Sequence, residues 1–257
     1  MSGDNKNNFN RVSLSTASMS SAVYAVCCYL VAVLAMGGFV LFASDLLLPR
    51  TVNSLAPEQA WGTAISLNLL LLSLFGIQHS VMAREGFKRT LNRWINPDLE
   101  RSTYCLATAL VLFALVWFWV PFGGVVWSVD TPWLTALLRV FSCIGWGIAI
   151  AATYMLDHAE LFGLKQGCRA LIGSTASTTE FKEPLLYRYV RHPMQSGILL
   201  GVWSVPVSTV SHCMLAVGIT LYILIGLHFE ERALAREFGD QYADYKSRVK
   251  RLIPFVY

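Results

Sequence analysis

Four groups of residues in this chain have the types and spacing to do chemistry. Arg191, His192 and Pro193 stand where a loop turns into an apolar run; Glu230 and Glu231 close the next apolar run, and Tyr242, Tyr245 and Arg248 follow in a charged tail. Two apolar runs framed by His, Arg, Glu and Tyr gather charge at one membrane face, where water-soluble and lipid-soluble reactants meet. A helix opened by proline adds free N–H groups and partial positive charge to Arg188, Arg191 and His192, a setting for the carboxylate of a ligand. Gly197 and Gly201, four apart, present a smooth face to another helix or to a flat ring.

The other two groups lie earlier in the chain. Gln78 and His79 end an apolar run just before Arg84. Neighbours on a helix point about 100° apart, so at most one of them faces a given cavity directly. His79 is the better candidate for chemistry, because an imidazole exchanges a proton near neutral pH. Asp157, His158 and Glu160 end another run. Asp157 and Glu160, at i and i+3, share a helix face and can hold a cation, orient a histidine or meet a ligand's ammonium. Either group can also be ordinary interface residues at the end of a span. Five histidines without a His-x-x-His or His-x-x-x-His pair are too few for a di-iron site. The six cysteines lack metal-ligand spacing and read as buried thiols, and no catalytic metal is expected.

The elements that must position these residues are membrane helices. Of 257 residues, 55% are hydrophobic and 14% charged, and the apolar residues fall in long blocks. Six blocks approach or exceed what about 30 Å of hydrocarbon needs: Ala22 to Ser44, Trp61 to Met82, Tyr104 to Phe122, Leu134 to Leu156, Pro193 to Ser208 and Cys213 to Phe229. The fifth is short and holds Pro206, which predicts a tilted, kinked or partial span. Lys and Arg fall almost wholly into alternate loops, from Lys6 and Arg11 through Arg84 to Arg101 and Lys165 to Arg191 to the tail; the intervening loops carry essentially Arg50 alone. The positive-inside rule then puts both termini and the candidate site on the cytoplasmic side, as in a bacterial-type inner membrane.

The expected fold is an all-α polytopic bundle of about six transmembrane helices. Residues 1–20 read as a mobile polar tail, 21–186 as the first four spans, and 187–257 as a helical hairpin with a C-terminal module. In that module Leu227, Glu231, Leu234, Phe238, Tyr242, Tyr245, Val249 and Leu252 recur at steps of three and four, an amphipathic stripe. Gly239 is expected to break it, letting a second helix fold back as a lid. A P-loop and a Gly-x-Gly-x-x-Gly after a strand are missing, and nothing points to nucleic acid; the net charge of +4 follows from topology.

Arg191-His192-Pro193, Gly197, Glu230-Glu231-x-x-Leu234, Phe238-Gly239-x-x-Tyr242-x-x-Tyr245 and the close from Val249 to Pro254 resemble the isoprenylcysteine carboxyl methyltransferase superfamily. Gly76 to Arg84, Glu100 to Tyr104 and Asp157 to Leu164 narrow the resemblance to membrane methanethiol S-methyltransferases. The resemblance implies S-adenosylmethionine as donor, the small volatile thiol methanethiol as acceptor, and dimethyl sulfide as product. It also implies a donor site from Tyr187, Arg188, Arg191, His192, Pro193, Gly197, Glu230, Glu231, Tyr242, Tyr245 and Arg248, with Arg251 an alternative to Arg248 in closing it. The superfamily usually has tyrosine two residues after the proline of Arg-His-Pro; here Gln195 replaces a ring with an amide.

Methyl transfer to a thiol needs an in-line approach and an activated sulfur. With a thiol pKa near 8.5, forming the thiolate at pH 7 costs about 2 kcal/mol. His79, assisted by Asp157 or His158, is the preferred proton acceptor, with His192 or a tyrosine as rivals. Two other readings stand beside this one. A methyltransferase for a prenylcysteine carboxylate or a lipid headgroup would need a wide lateral opening, whereas Trp117, Phe118, Trp119, Trp127 and Trp133 suit a closed small-substrate chamber at least as well. A histidine-based transporter or heme- or ion-binding protein would leave the Glu-Glu and Tyr-x-x-Tyr tail without a role.

Overall fold

The computed structural model describes residues 16–54, 61–172 and 181–256. Positions 1–15 of the expected tail, with Lys6 and Arg11, lie outside the described residues, and the first helix begins at Thr16, inside the stretch read as tail. The described order is α1 (Thr16–Ala43), α2 (Trp61–Met82), α3 (Glu85–Leu91), α4 (Glu100–Phe118), β1 (Val125–Ser128), α5 (Pro132–Leu156), α6 (His158–Leu161), α7 (Leu164–Gly167), α8 (Arg169–Ile172), α9 (Pro193–Trp203), β2 (Val207–Thr209), α10 (Val210–Phe238) and α11 (Asp240–Arg248). Helices α1, α2, α4, α5 and α10 are long and apolar enough to cross a membrane. Helix satisfies every backbone group within the segment, which hydrocarbon demands. The protein is an all-α membrane bundle.

One expected span is not a full-length helix. α9 has 11 residues and rises about 17 Å, well short of the hydrocarbon thickness. The chain then runs on extended, and protein groups satisfy that backbone: Trp127 Nε1 donates to the Val205 carbonyl at 3.1 Å, Val129 N to Pro206 at 2.9 Å and Asn53 Nδ2 to Val207 at 3.1 Å. β2 pairs antiparallel with β1, Val125 opposite Thr209 and Ser128 opposite Val207. Non-helical backbone is tolerated at such depth only when buried in protein, and Val205 and Ser208 are buried.

Side-chain contacts fix the direction of each helix. Tyr24 meets Thr103 and Phe42 meets Trp119, so α1 and α4 run parallel. His79 at the end of α2 meets Tyr104 near the start of α4, so those two are antiparallel. α9 starts beside the end of α5 and runs back along it. The ends of α2, α5 and α10 and the starts of α1, α4 and α9 therefore share one end of the bundle, here called the basic end, and the β-ribbon marks the other. The core between them is pinned by polar pairs: Trp119 Nε1 donates to Ser211 Oγ and Trp146 Nε1 to Ser44 Oγ, both at 2.9 Å, and Asn68 closes α4 through both polar groups of Val120. Trp117, Phe118 and Trp133 point outward at the ribbon end, as interface aromatics do, while Trp119 is core and Trp127 stacks on Trp203. Composition left open whether these rings wall a small-substrate chamber; Trp117, Phe118 and Trp133 do not line one.

Glycines let α5 and α9 touch backbone to backbone. A Cβ on Gly145 would meet the Gly197 carbonyl at 2.7 Å and the Gly201 backbone; one on Gly197 would meet Ala149 N at 2.6 Å; one on Gly201 would meet the Trp146 ring at 2.7 Å. The smooth face of Gly197 and Gly201 is thus filled by α5, not held open for a ring. Gly145→Ala overpacks this contact and is expected to cost about 1–3 kcal/mol, seen as a lower thermal midpoint in detergent. Gly147→Ala, whose Cβ meets nothing within 4 Å, leaves the midpoint unchanged.

Candidate active site

At the basic end, the chain before α9 and the chain after α11 close on one carboxylate. Glu231 is 4% exposed. Its Oε1 accepts from Arg191 Nε at 2.9 Å and Nη2 at 2.7 Å and lies 3.2 Å from His192 Nε2; its Oε2 accepts from Arg251 Nη2 at 2.7 Å. Arg191 also donates to the carbonyls of Lys246 and Val249, Arg191 N to Lys250 O at 2.8 Å, His192 N to Arg251 O at 3.1 Å, and Ser196 Oγ to Leu252 O at 2.6 Å. Gly239 (φ +52°, ψ −124°) makes this possible, ending α10 in a conformation that L side chains rarely adopt and sending α11 back toward α9. The expected stripe is the inward face: Leu227, Glu231, Tyr242, Tyr245, Val249 and Leu252 are buried, and Leu234 and Phe238 are half-buried against Tyr242, Tyr245 and Val249.

The neighbouring carboxylate has a different fate. Glu230 has a side chain 48% exposed, with Oε1 3.9 Å from His192 Nδ1. Of the paired acids, Glu231 is consumed by structure and Glu230 is open to a ligand. Tyr245 donates to the Tyr187 carbonyl at 2.6 Å, locking α11 to the turn before α9. Tyr242 is buried and its hydroxyl faces the Arg191–Glu231 pair. Burial pushes the Tyr242 hydroxyl up to about 12 and those of Tyr187 and Tyr245 up as well, so all three keep their protons at neutral pH and none is a base there. Arg188 and Arg248 lie at the surface, Arg188 on the Glu183 carbonyl and Arg248 on Asp244 and Glu183. Pro193 opens α9 and is buried; Gln195 is half-buried on the same turn.

His79 sits in an aromatic box made by three helices. Phe75 stacks on it at 5.5 Å, Tyr222 of α10 meets it edge-on at 6.0 Å, and the Tyr104 hydroxyl lies 2.8 Å from Nε2 and 3.0 Å from Nδ1. Thr108 Oγ1 is 3.3 Å from Nδ1, and the Arg101 guanidinium lies 5.2 Å from the centre of the Tyr104 ring. Gln78 instead bonds Met82 and Thr108.

His158 and Asp157 do not join that box. Thr153 Oγ1 gives its single proton to the Ile150 carbonyl at 2.7 Å, so at 2.7 Å it accepts from His158 Nδ1–H; Nε2 then accepts from Tyr29 OH at 3.1 Å. Both nitrogens are spent tying α5 to α1, the ring stacks on Tyr154 at 4.2 Å, and burial lowers its pKa. Asp157 (φ +100°) joins α5 to α6, accepts from Glu160 N at 3.1 Å, and is paired with Lys165, whose hydrogen bond holds its carboxyl below the usual range. With Glu160, Lys88, Glu100, Arg101 and Gln166 it lines a polar cavity of about 490 Å³ at the basic end. Arg101 links this cavity to the Tyr104–His79 pair, and neither Asp157 nor His158 bonds His79.

The partners that sequence reasoning missed are Phe75, Tyr104, Thr108 and Tyr222 around His79. Tyr104 lay in a motif already singled out, but Tyr222 is one aromatic in an apolar run and carries no local signal. Arg251 emerges as a core partner of Glu231. Removing that carboxylate takes the counter-ion from the buried Arg191 guanidinium, so Glu231→Ala is expected to cost about 3–5 kcal/mol and to speed tryptic cleavage within α11. Glu230→Ala shifts stability by no more than about 0.5 kcal/mol.

Comparison with known proteins matches this chain to a family. The family described as NnrU protein matches residues 67–256. A methanethiol S-methyltransferase from Mycobacterium tuberculosis (strain ATCC 25618 / H37Rv) is 41% identical over 233 residues, 91% of this chain and 95% of that protein. A methanethiol S-methyltransferase from Pseudomonas sp. (strain GM41(2012)) is 38% identical over 239 residues, 93% and 92% of the two chains. Nurim from Xenopus laevis is 32% identical over 185 residues, 68% of this chain and 64% of its own. No solved structure matches. The matched region holds His79, His192, Glu230 and Glu231 on the elements described above, and the chain belongs to the NnrU family and, with its nearly full-length relatives, to the methanethiol S-methyltransferase family of membrane methyltransferases.

Proposed function

We propose that this protein methylates methanethiol to dimethyl sulfide with S-adenosylmethionine as donor, at the cytoplasmic face of a bacterial-type inner membrane. The observation that carries this reading is α10 itself. One helix places Tyr222 against His79 and Glu230 beside His192, eight residues or about 12 Å apart along its axis. An acceptor group and a donor group are thereby held on one rigid element. The names of the relatives supply the acceptor.

The residues of the C-terminal module, 187–257, fit a cationic donor. Glu230 is an exposed carboxylate 3.9 Å from His192 Nδ1, and the Tyr242 ring is buried beside Tyr245. Glu230, with His192, would hold the amino or ribose groups, and Tyr187, Tyr242 and Tyr245 would form the wall. Arg191 and Glu231 with Pro193 frame the floor, and Arg188 and Arg248 stand at the mouth, where α11 serves as lid. When bound, such a donor supplies a methyl carbon on a positively charged sulfur, with a thioether as leaving group.

On the acceptor side, residues 21–186 supply the base and its setting. Phe75, Tyr104 and Tyr222 make a small box around His79, whose imidazole takes the thiol proton on a ring nitrogen as the sulfur attacks, so that no free thiolate has to form. Tyr104 fixes the ring. Asp157 and His158 act at a distance, by holding the end of α5.

Membranes given methyl-labelled donor and a panel of methanethiol, prenylcysteine and lipid acceptors are expected to release the label as volatile dimethyl sulfide. Label in prenylcysteine or lipid instead, or no donor affinity by calorimetry of the purified protein, would overturn the reading. His79→Ala is expected to lower turnover of methanethiol about 100-fold or more with donor affinity retained; wild-type turnover across pH 6 to 9 removes His79 from this role.

A further inference from the structure

The inward stripe of α10, Leu215, Ile219, Ile223, Leu227 and Glu231, is buried throughout. Gly226 follows Ile223 by three residues and Glu230 follows Leu227 by three, so both belong to the inward side of the helix. The lipid side is taken by Leu221, Ile225 and Phe229, all exposed. Glu230, on the inward side with a side chain 48% exposed, is reached from the basic end of the bundle.

Its position follows from how α2 and α10 pack. The two helices run parallel and touch closely in their lower parts: a Cβ on Gly218 would meet Leu72 Cδ1 at 2.7 Å, and one on Gly76 would meet the Tyr222 ring at 3.3 Å. The contact advances four residues on each helix, from Leu72 with Gly218 to Gly76 with Tyr222. Its next step is the level of His79 and Ser80 with Gly226, and there a Cβ on Gly226 would meet nothing within 4 Å. Beyond it the Arg84 guanidinium lies 4.8 Å from the centre of the Phe229 ring and closes the helices again on the lipid side. An open space thus lies between Tyr222, which touches His79, and Glu230, which faces His192.

We infer that the space at Gly226 is the acceptor chamber, and that the missing side chain of Gly226 sets the size of thiol it takes. This rests on the proposed methyltransferase reading. A space left by one missing side chain, between a proton acceptor and a carboxylate suited to a cationic donor, suits a short apolar thiol better than a longer one. Size selection lies with α10, not with the tryptophans at the opposite end.

The test is the ratio of kcat/KM for methanethiol to that for ethanethiol, measured in purified wild type, Gly226→Ala, Gly226→Val and, as control, Gly147→Ala on the exposed side of α5. Gly226→Ala is expected to fold as wild type, to keep its donor affinity, and to raise the ratio about tenfold or more, the scale of one methylene in a tight apolar pocket. Gly226→Val is expected to lose methanethiol turnover too, and Gly147→Ala to leave the ratio unchanged. A ratio in Gly226→Ala within about twofold of wild type overturns the inference while leaving the methyltransferase reading intact. Failure of Gly226→Ala to fold overturns it as well, because the space is then already filled. No methylation of any thiol by wild type overturns both.

Discussion

The arrangement of the basic end depends on one buried carboxylate. Glu231 carries a full negative charge at the edge of an apolar bundle, where an unpaired ion is costly. It is tolerated because Arg191, Arg251 and His192 converge on it from two separate stretches of chain. That requirement draws the residues after α11 against the start of α9, and the backbone bonds from Arg191 and His192 to Lys250 and Arg251 then form a short parallel pairing. A chain end that would otherwise be a free amphipathic segment becomes a wall.

With that wall fixed, α10 acts as the beam between two chemical environments. Its inward stripe anchors it in the core, Tyr222 reaches the box around His79, and Glu230 stands beside His192. Neither end can move without moving the other. α9 is held just as firmly, because Gly145, Gly197 and Gly201 let it lie on α5 at backbone contact. This helix is short, and the extended chain after it is pinned by Trp127, Val129 and Asn53. The position of His192 is therefore set from both sides, by α5 beneath and by the C-terminal strap above.

Much of this is legible in the residue order, and the remainder is hidden for specific physical reasons. The stripe from Leu227 to Leu252 and the break at Gly239 could be read from spacing, since helical periodicity assigns residues to faces. The end of the bundle at which His79, Asp157, His192 and Glu230 gather could be read from the alternation of basic loops. Which of Glu230 and Glu231 is free could not, because a step of about 100° around the helix separates a residue meeting two arginines from one meeting open space. The tryptophans could not be assigned for a related reason: a bulky ring at a span end is equally suited to a chamber or to the membrane interface, and only the direction of its side chain decides. His158 reads as an assistant to His79 until Thr153 and Tyr29 are seen on its two nitrogens.

By itself the sequence determined that this is a membrane bundle, that its charged chemistry sits at one end, and that it belongs to a family of membrane methyltransferases. Those properties follow from composition, from block length and from motifs fixed along one stretch of chain. Only the tertiary structure decided that Tyr222 and Tyr104, far apart in the chain, meet on His79, that α5 fills the glycine face of α9, and that α2 and α10 part at Gly226. Each of these is a contact, or the lack of one, between helices whose neighbours periodicity does not name, because a helix fixes which face a residue is on but not what that face will meet.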